Sequence, residues 1–202
     1  MKKVYFVRHG LTQFNTESRV QDGNDALSEK GLEQAKDIAD RLTRVPFDLL
    51  LSSDMLRAKQ TAEKIAERTG HTPSFSPLFA EAKYPTSFVG LSYKEDAIQK
   101  YLAERDREGR YEDEETPAML HARAKEALTD LAARDEESIA VVTHGRFLRH
   151  IILAVLLGDT ATWEQEEYFI NHLTASNTGI TVLEYNEGTW RMITWNDHAH
   201  LG

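Results

Sequence analysis

Two segments of the sequence run from a stretch of apolar residues directly into a His-Gly pair. His9 follows residues 4–8, which end in Arg8, and His144 follows residues 139–143, which end in Thr143. A glycine after each histidine lets the chain turn sharply and lets a ligand approach the backbone. An arginine beside a histidine suits an oxyanion such as phosphate, because its planar guanidinium binds two oxygens and stays charged. The repeated pattern favours a ligand site over two structural histidines.

Two further polar residues are placed to join this site. Arg57 lies in the segment from Ser52 to Ala58, which follows an apolar run and begins a helix. The N-terminus of a helix favours anions, so Arg57 and this helix would bind an anion together. Asn15 lies in the loop after His9, within reach of a bound oxyanion. The alternative roles are surface ion pairing for Arg57 and a local turn for Asn15.

Alternating strand and helix patterns position these residues. Runs of β-branched and aromatic residues predict strands at Val4–Val7, Phe47–Leu51, Ile139–Thr143, Ile180–Tyr185 and Thr189–Trp195. Helical patterns cover Ser28–Leu42, Met55–Arg68, Pro117–Arg134 and Phe147–Leu157. The alternation indicates an α/β fold with a mostly parallel sheet that carries helices on both faces. Ligand sites in such folds lie at the carboxyl ends of the strands, so His9 and His144 can meet if their strands are neighbours.

The composition limits the class of partner. The chain has 202 residues, 33 acidic and 24 basic, with a net charge of -9, and we expect residues 1–202 to form one domain. This acidic balance argues against nucleic acid and anionic membranes as partners. No apolar run approaches the length of about 20 residues that a membrane span needs, and the run before Arg8 is too short for a signal peptide. The sequence has no cysteine, which suits the cytoplasm.

Residues 73–116 carry the weakest helix and strand patterns. We expect an insertion there, and its functional interpretation is a cap over a substrate pocket. Its end, Glu104–Glu115, carries charges of both signs and is expected to be a solvated helix face or loop. The acidic stretch Trp163–Tyr168 is also expected to be solvated.

Taken together, the motifs resemble those of the histidine phosphatase superfamily, also called phosphoglycerate-mutase-like. Residues 8–12 resemble its Arg-His-Gly signature, residues 52–61 its second arginine segment, and residues 143–145 its second histidine segment. Residues 27–31 and 177–180 resemble two further segments, one before the first long helix and one near the pocket. The resemblance runs through nearly the whole chain in the family's order. It implies a three-layer α/β/α sandwich and a metal-independent phosphatase without a cofactor.

The resemblance also implies roles for individual residues. His9 would be phosphorylated, while Arg8, Arg57 and His144 would surround the phosphoryl oxygens. Asn15 and Thr143 would contact the substrate, although a buried strand threonine is the alternative for Thr143. Glu81 would protonate the leaving group and then activate water, with Glu95 and Asp96 in reserve. Residues 82–90 depart from the Gly-x-Trp-Glu-Gly stretch that follows this glutamate in many members, which puts the substrate class in doubt. No residues show the spacing of a metal site.

Several functions remain open at this point. The preferred one is hydrolysis of a small phosphorylated metabolite. A phosphoglycerate mutase would share the nucleophile, but mutases of this type are generally longer and their loop at Glu81 differs. Hydrolysis of a phosphorylated protein as the substrate would require an open, shallow pocket. A non-catalytic module that binds phosphorylated ligands is disfavoured, because Arg8, His9, Arg57, Glu81 and His144 are all present. The oligomeric state is left open.

Overall fold

The computed structural model describes residues 1–104 and 109–202. Its strands and helices follow in chain order: β1 (Lys2–Arg8), α1 (Gln13–Glu17), α2 (Glu29–Leu42), β2 (Leu49–Ser52), α3 (Leu56–Thr69), β3 (Ser74–Phe75), α4 (Asp96–Glu104), α5 (Pro117–Ala133), β4 (Ser138–Thr143), α6 (Gly145–Leu156), α7 (Trp163–His172), β5 (Ile180–Asn186) and β6 (Thr189–Asp197). Short 3₁₀ turns cover Pro77–Phe79, Thr86–Phe88 and Ala199–Leu201.

The strands of the described residues form one six-stranded sheet in the order β3-β2-β4-β1-β5-β6. β2 pairs in parallel with β3 and β4, and β4 pairs in parallel with β1. β5 runs antiparallel to both of its neighbours. Glu187 and Gly188 connect β5 to β6 and both have positive φ, 49° and 82°, as a two-residue hairpin turn requires.

Helices cover both faces of this sheet. On one face α2 and α3 bury Ile38, Leu42 and Ile65 against β2 and β4, and on the other α5 and α6 bury Leu131 and Phe147. Local sequence fixes the ends of these helices. The Ser28 side chain caps α2 by accepting from the Gly31 N–H at 3.1 Å, and Gly70 ends α3 at φ 77°. The three-layer α/β/α sandwich expected from the sequence is therefore confirmed.

The predicted strands and long helices are present, with one difference that matters for the site. α6 begins at Gly145, two residues before the predicted start at Phe147. The apolar periodicity starts only at Phe147, so the sequence pattern misses the first two residues of the helix. As a result His144 occupies the N-cap position of α6, without a side-chain capping hydrogen bond, and the N-terminus of this helix lies at the end of β4.

Two segments that were expected to be solvated each contain a buried glutamate. Trp163–Tyr168 lies inside α7, and Glu166 of this helix is buried. Within Glu104–Glu115, Glu114 is also buried; its carboxylate accepts from the Tyr101 hydroxyl and from the Tyr111 N–H at 2.9 Å. Residues 105–108 of this segment lie outside the described residues. A run of charged residues in the sequence does not reveal which glutamates are buried, because a buried, hydrogen-bonded glutamate and a solvated one are the same residue type.

Some residues of the 73–116 segment pack with Val20 in a small core of their own. Val20, Phe88, Ile98 and Tyr101 form a buried apolar cluster separate from the two clusters on the sheet. Within residues 1–104 and 109–202, no helix is long and apolar enough to cross a membrane.

Candidate active site

The ends of β1 and β4 bring the two histidines together. Arg8 is opposite Thr143 in the parallel pairing, and the His9 N–H donates to the Thr143 carbonyl at 2.9 Å. His9 and His144 are the first residues after β1 and β4, and the centroids of their rings lie 5.0 Å apart. Adjacent parallel strands therefore place two imidazoles, separated by more than a hundred residues of sequence, at one sheet edge.

The hydrogen bonds of His9 define its tautomer. Nδ1 lies 2.7 Å from the Gly10 carbonyl oxygen, which can only accept, so Nδ1 carries the proton. Nε2 then has a free lone pair and accepts from Nε of Arg57 at 3.3 Å. Burial, followed by the charges of Arg57 and Arg8, holds the pKa of His9 well below its usual value. His9 is thus a neutral imidazole with Nε2 available as a nucleophile.

Two arginines lie beside this ring. Arg57 is buried at the start of α3, and its Nη1 donates to the Asp22 carbonyl at 2.5 Å. Arg8 donates from Nη1 to the Ala175 carbonyl at 2.5 Å, while its buried Nε has no hydrogen-bond partner among the described residues. Burial, with repulsion from other arginines, lowers the pKa of Arg8 to about 10. Both guanidiniums remain charged at neutral pH and have N–H groups to offer an anion.

His144, which the resemblance places against the phosphoryl oxygens, is not a cation in the free protein. Burial first, then the charge of Arg57, holds its pKa well below the usual value, so the ring is neutral in the free protein. Its Nε2 lies 2.8 Å from Oγ of Ser53, and its buried Nδ1 has no hydrogen-bond partner within the described ranges. The ring is suited to hydrogen bonding with a phosphoryl oxygen.

The Glu81 carboxylate is fixed at the N-terminus of α6. Oε1 accepts from the N–H groups of Phe147 and Ala82, both at 2.9 Å, and Oε2 accepts from the Arg146 N–H at 3.1 Å. These donors include free N–H groups of the first helical turn, which need an acceptor. Helix α6 therefore holds the Glu81 carboxyl group in the pocket that His9 also lines, although Glu81 is far from α6 in sequence.

These groups surround a pocket of about 380 Å³. Five arginines line it within the described part of the chain, against one acidic residue, Glu81: Arg8, Arg19, Arg57, Arg146 and Arg149. Tyr84, Tyr93 and Leu102 of the 73–116 segment also line it. The pocket is thus a local cation cluster on a chain whose net charge is -9.

A model of the histidine phosphatase superfamily (branch 1) matches residues 4–198. The chain belongs to this superfamily. Membership confirms the enzyme class expected from the sequence, a histidine phosphatase.

Several relatives and solved structures align along the whole chain. The probable phosphoglycerate mutase GpmB of Enterobacter sp. (strain 638) is 30% identical over 212 residues, which cover 100% of this chain and 95% of that protein. Bacillus stearothermophilus YhfR shares the fold with a TM-score of 0.85, 24% identity and full coverage of both chains. Entamoeba histolytica phosphoserine phosphatase, solved with 3-phosphoglyceric acid, has a TM-score of 0.80 and 26% identity, with full coverage of both chains.

The structure brings most of the expected histidine phosphatase residues to one place. Arg8, His9, Asn15, Arg57 and Glu81 line the pocket, and the ring of His144 packs beside that of His9. Asn15 also has the local role that was its alternative: it forms a capping box with Thr12 at the start of α1.

Thr143 does not take the substrate-binding position that was expected. It is fully buried and its hydroxyl donates to the Phe79 carbonyl at 2.8 Å. Thr143 therefore fixes the segment that leads to Glu81, and the alternative of a buried strand threonine describes it better.

Several residues of the pocket were missed from the sequence. Arg146 and Arg149 lie three positions apart on the first turns of α6, and Arg19, Tyr84 and Tyr93 come from outside the motifs. The Arg146–Arg149 spacing, directly after His144-Gly145, was a usable signal, because residues three apart share a helix face. The two tyrosines had none, since no local pattern shows which way an insertion folds. No group of three or more His, Cys, Asp or Glu side chains is placed to hold a metal ion within residues 1–104 and 109–202.

Proposed function

We propose that this protein hydrolyses phosphomonoesters of small metabolites, without a metal, through a phosphohistidine on His9. The observation that carries the proposal is the hydrogen-bonding of His9. Gly10 holds Nδ1, so the Nε2 lone pair faces the guanidinium of Arg57 at 3.3 Å in a pocket rich in arginine. A phosphoryl group drawn to that guanidinium would meet the nucleophile.

In the first step Nε2 of His9 attacks phosphorus. A P–N bond forms as the ester P–O bond breaks, and the leaving oxygen takes a proton from the Glu81 carboxyl. Arg8, Arg57 and His144 hold the three phosphoryl oxygens, where charge must be stabilised during the transfer. These fixed groups supply the electrostatic stabilisation that a metal ion supplies in other phosphatases.

In the second step water replaces the leaving alcohol. Glu81, now a carboxylate, takes a proton from the water as its oxygen bonds to phosphorus and the P–N bond breaks. The products are inorganic phosphate and neutral His9. One carboxyl group serves both steps because donating its proton in the first step leaves the carboxylate that the second step needs. The N–H groups at the start of α6 hold it in the pocket throughout.

The substrate is a small molecule. The pocket holds about 380 Å³, and Tyr84, Tyr93 and Leu102 contribute to its wall, so we propose that the 73–116 segment caps it. A folded protein surface would not enter such a space. The phosphoserine phosphatase of Entamoeba histolytica, solved in complex with 3-phosphoglyceric acid, holds a small phosphorylated ligand on a similar fold, which supports this proposal. The cysteine-free composition supports a cytoplasmic location.

Two arginines are available for a second anionic group on the substrate. Arg19 is paired with Glu17 at 2.7 Å, and Arg8 and Arg57 face the phosphoryl position. Arg146 is held by the Tyr84 hydroxyl at 2.7 Å, and the buried Nε of Arg149 has no hydrogen-bond partner in the described part of the chain. A carboxylate at the far end of the substrate would satisfy this pair.

A phosphoglycerate mutase is the second candidate. The relatives of that description are covered over 95% of their length, so chain length does not separate them from this protein, contrary to the expectation that mutases are longer. A mutase would need a bisphosphate primer and would isomerise a phosphoglycerate with little release of phosphate.

The deciding experiment is phosphate release from p-nitrophenyl phosphate in the presence of a strong chelator. We expect chelator-resistant activity in the wild type and a loss of about a thousandfold or more in His9→Ala. His172→Ala is the matched control, because His172 is exposed on α7. Rapid quenching should show one added phosphoryl group on the wild-type chain and none on His9→Ala. Substantial hydrolysis by His9→Ala would refute the nucleophile, and an inactive wild type would favour the mutase.

A further inference from the structure

A residue with a strained backbone lies against the backbone of Arg8 and His9. Thr178 is fully buried and has φ 58°, in the left-handed region that β-branched residues rarely adopt. Such a conformation persists only where the surrounding contacts fix it, and strain of this kind concentrates at functional sites. The hydrogen bonds of Thr178 therefore identify both the backbone that it positions and the residue that keeps it in this conformation.

Thr178 and its neighbour hold the backbone of the catalytic loop. The Thr178 N–H donates to the Arg8 carbonyl at 2.9 Å. The Asn177 side chain donates from Nδ2 to the His9 carbonyl at 3.0 Å. Both carbonyl groups of the Arg8-His9 pair are thus fixed by residues 177–178, so the position of the His9 ring depends on this turn.

The side chain of His200 holds Thr178 in turn. The Thr178 hydroxyl donates its one proton to the Asn177 carbonyl at 2.7 Å, so its oxygen accepts from Nε2 of His200 at 3.0 Å. Nδ1 of His200 then has a lone pair, which accepts from Nη1 of Arg41 at 3.2 Å. Burial, followed by the charge of Arg41, lowers the pKa of His200 and so favours the neutral ring that these two hydrogen bonds require.

The chain of contacts ends in an ion pair. Nη1 of Arg41, on α2, also donates to Oδ1 of Asp197 at 3.1 Å. The 3₁₀ turn Ala199–Leu201 is thereby fastened to α2 on one side and to the 177–178 turn on the other. Arg41, Thr178 and His200 are not among the described residues that line the pocket.

We propose that His200 is a positioning residue for the nucleophile, acting through Thr178 on the Arg8-His9 backbone. The proposal rests on the proposed function, because it concerns the rate at which His9 accepts a phosphoryl group. His200 does not touch the substrate. It keeps Thr178 in its strained conformation, and a small displacement of the reacting nitrogen lowers the rate of transfer strongly.

The test compares two substitutions at the same position. His200→Ala removes both contacts and should slow phosphohistidine formation about tenfold or more in rapid-quench experiments. In His200→Gln the side-chain oxygen can accept from Arg41 and the amide can donate to Thr178, so the rate should return to within about threefold of wild type. His198→Ala is the control, since His198 is exposed and its ring hydrogen-bonds the Asn196 carbonyl at 2.8 Å rather than Thr178 or Arg41.

A double-mutant cycle separates positioning from a general loss of stability. If His200 acts through the Thr178 hydroxyl, His200→Ala should have little further effect in a Thr178→Val background. Additive losses, or a His200→Ala variant as fast as wild type, would overturn the proposal while the proposed function stood. Amide exchange gives a readout that does not depend on activity: His200→Ala should speed exchange in peptides covering residues 175–180. Unchanged exchange would also overturn it, whereas absence of phosphohistidine in the wild type would count against the proposed function alone.

Discussion

Nε of Arg57 lies 3.3 Å from Nε2 of His9, which makes protonation of this histidine unfavourable. Two unit charges at that distance repel by roughly 5 kcal/mol at an effective dielectric constant of about 20. The same guanidinium would attract a phosphate dianion to the lone pair. Burial is the larger cause of the low pKa of His9. The Arg57 contact adds to that effect and would also place the phosphoryl group beside the lone pair.

The first prediction concerns stability against pH. Both His9 and His144 are neutral in the folded protein because their pKa values are lowered, first by burial and then by neighbouring charges. In the unfolded chain they bind protons below about pH 6.5, so unfolding takes up protons there. The contribution of these two neutral histidines to the free energy of unfolding is complete above about pH 6.5. As the pH falls below that value, the free energy of unfolding decreases by up to about 1.4 kcal/mol per pH unit for each histidine.

Urea unfolding at pH 7.5 and 5.5 measures this effect. The fall in the free energy of unfolding between the two pH values should be smaller in His144→Gln than in wild type by about 1.4 kcal/mol. The control is His172→Gln, because His172 is exposed and should change little. An equal fall in wild type and His144→Gln would show that His144 is not held neutral.

The second prediction concerns the role of Glu81 as acid. Glu81→Gln keeps a side-chain oxygen that can accept from the Phe147 N–H, so α6 should remain in place. The variant cannot protonate a leaving alkoxide. Its activity should fall more for alkyl phosphates, whose leaving oxygens are strongly basic, than for p-nitrophenyl phosphate.

A series of aryl and alkyl phosphates gives the measurement. We expect the rate to depend more steeply on leaving-group basicity in Glu81→Gln than in wild type. Glu95→Gln is the matched control, because Glu95 is exposed and its carboxylate accepts from the Ser92 N–H at 2.8 Å. Equal losses for both classes of ester would remove Glu81 from the role of acid.

The third prediction concerns the packing of the catalytic loop on α2. A Cβ at Gly31 would lie 1.9 Å from the Leu11 carbonyl oxygen, so the loop after His9 would have to move. Alanine is a better helix former than glycine by about 1 kcal/mol, but overpacking against backbone costs about 1–3 kcal/mol. The clash should prevail, and Gly31→Ala should lower both stability and the turnover number.

Gly23→Ala is the control for this substitution. A Cβ at Gly23 would meet only Met55 Cγ, at 3.9 Å, which is an ordinary contact. Its free energy of unfolding should stay within about 0.5 kcal/mol of wild type in chemical denaturation. A Gly31→Ala protein as stable and active as wild type would show that the loop can move without loss.

The turns after the two histidines show how far a local interpretation reaches. Neither Gly10 nor Gly145 has positive φ, so neither is needed for a sharp turn. A Cβ at Gly10 would lie 2.5 Å from the Gly31 carbonyl oxygen, and one at Gly145 would lie 3.2 Å from Nε of Arg8. The sequence indicated both glycines correctly, but close packing between distant segments is the reason for them.

The sequence by itself determined the fold class and the order of strands and long helices. It also indicated that His9, Arg57 and His144 lie together at one edge of the sheet. Each of these depends on local patterns: apolar periodicity, helix caps, and a motif at the end of a strand. The fixing of Glu81 by α6, the approach of Arg146 and Arg149, and the contact between His200 and Thr178 were decided only by the tertiary structure. These contacts join segments that are far apart in the chain. Hydrogen bonds of this kind leave no repeating pattern of residue types in the sequence, because any donor and acceptor that the fold brings together can make them.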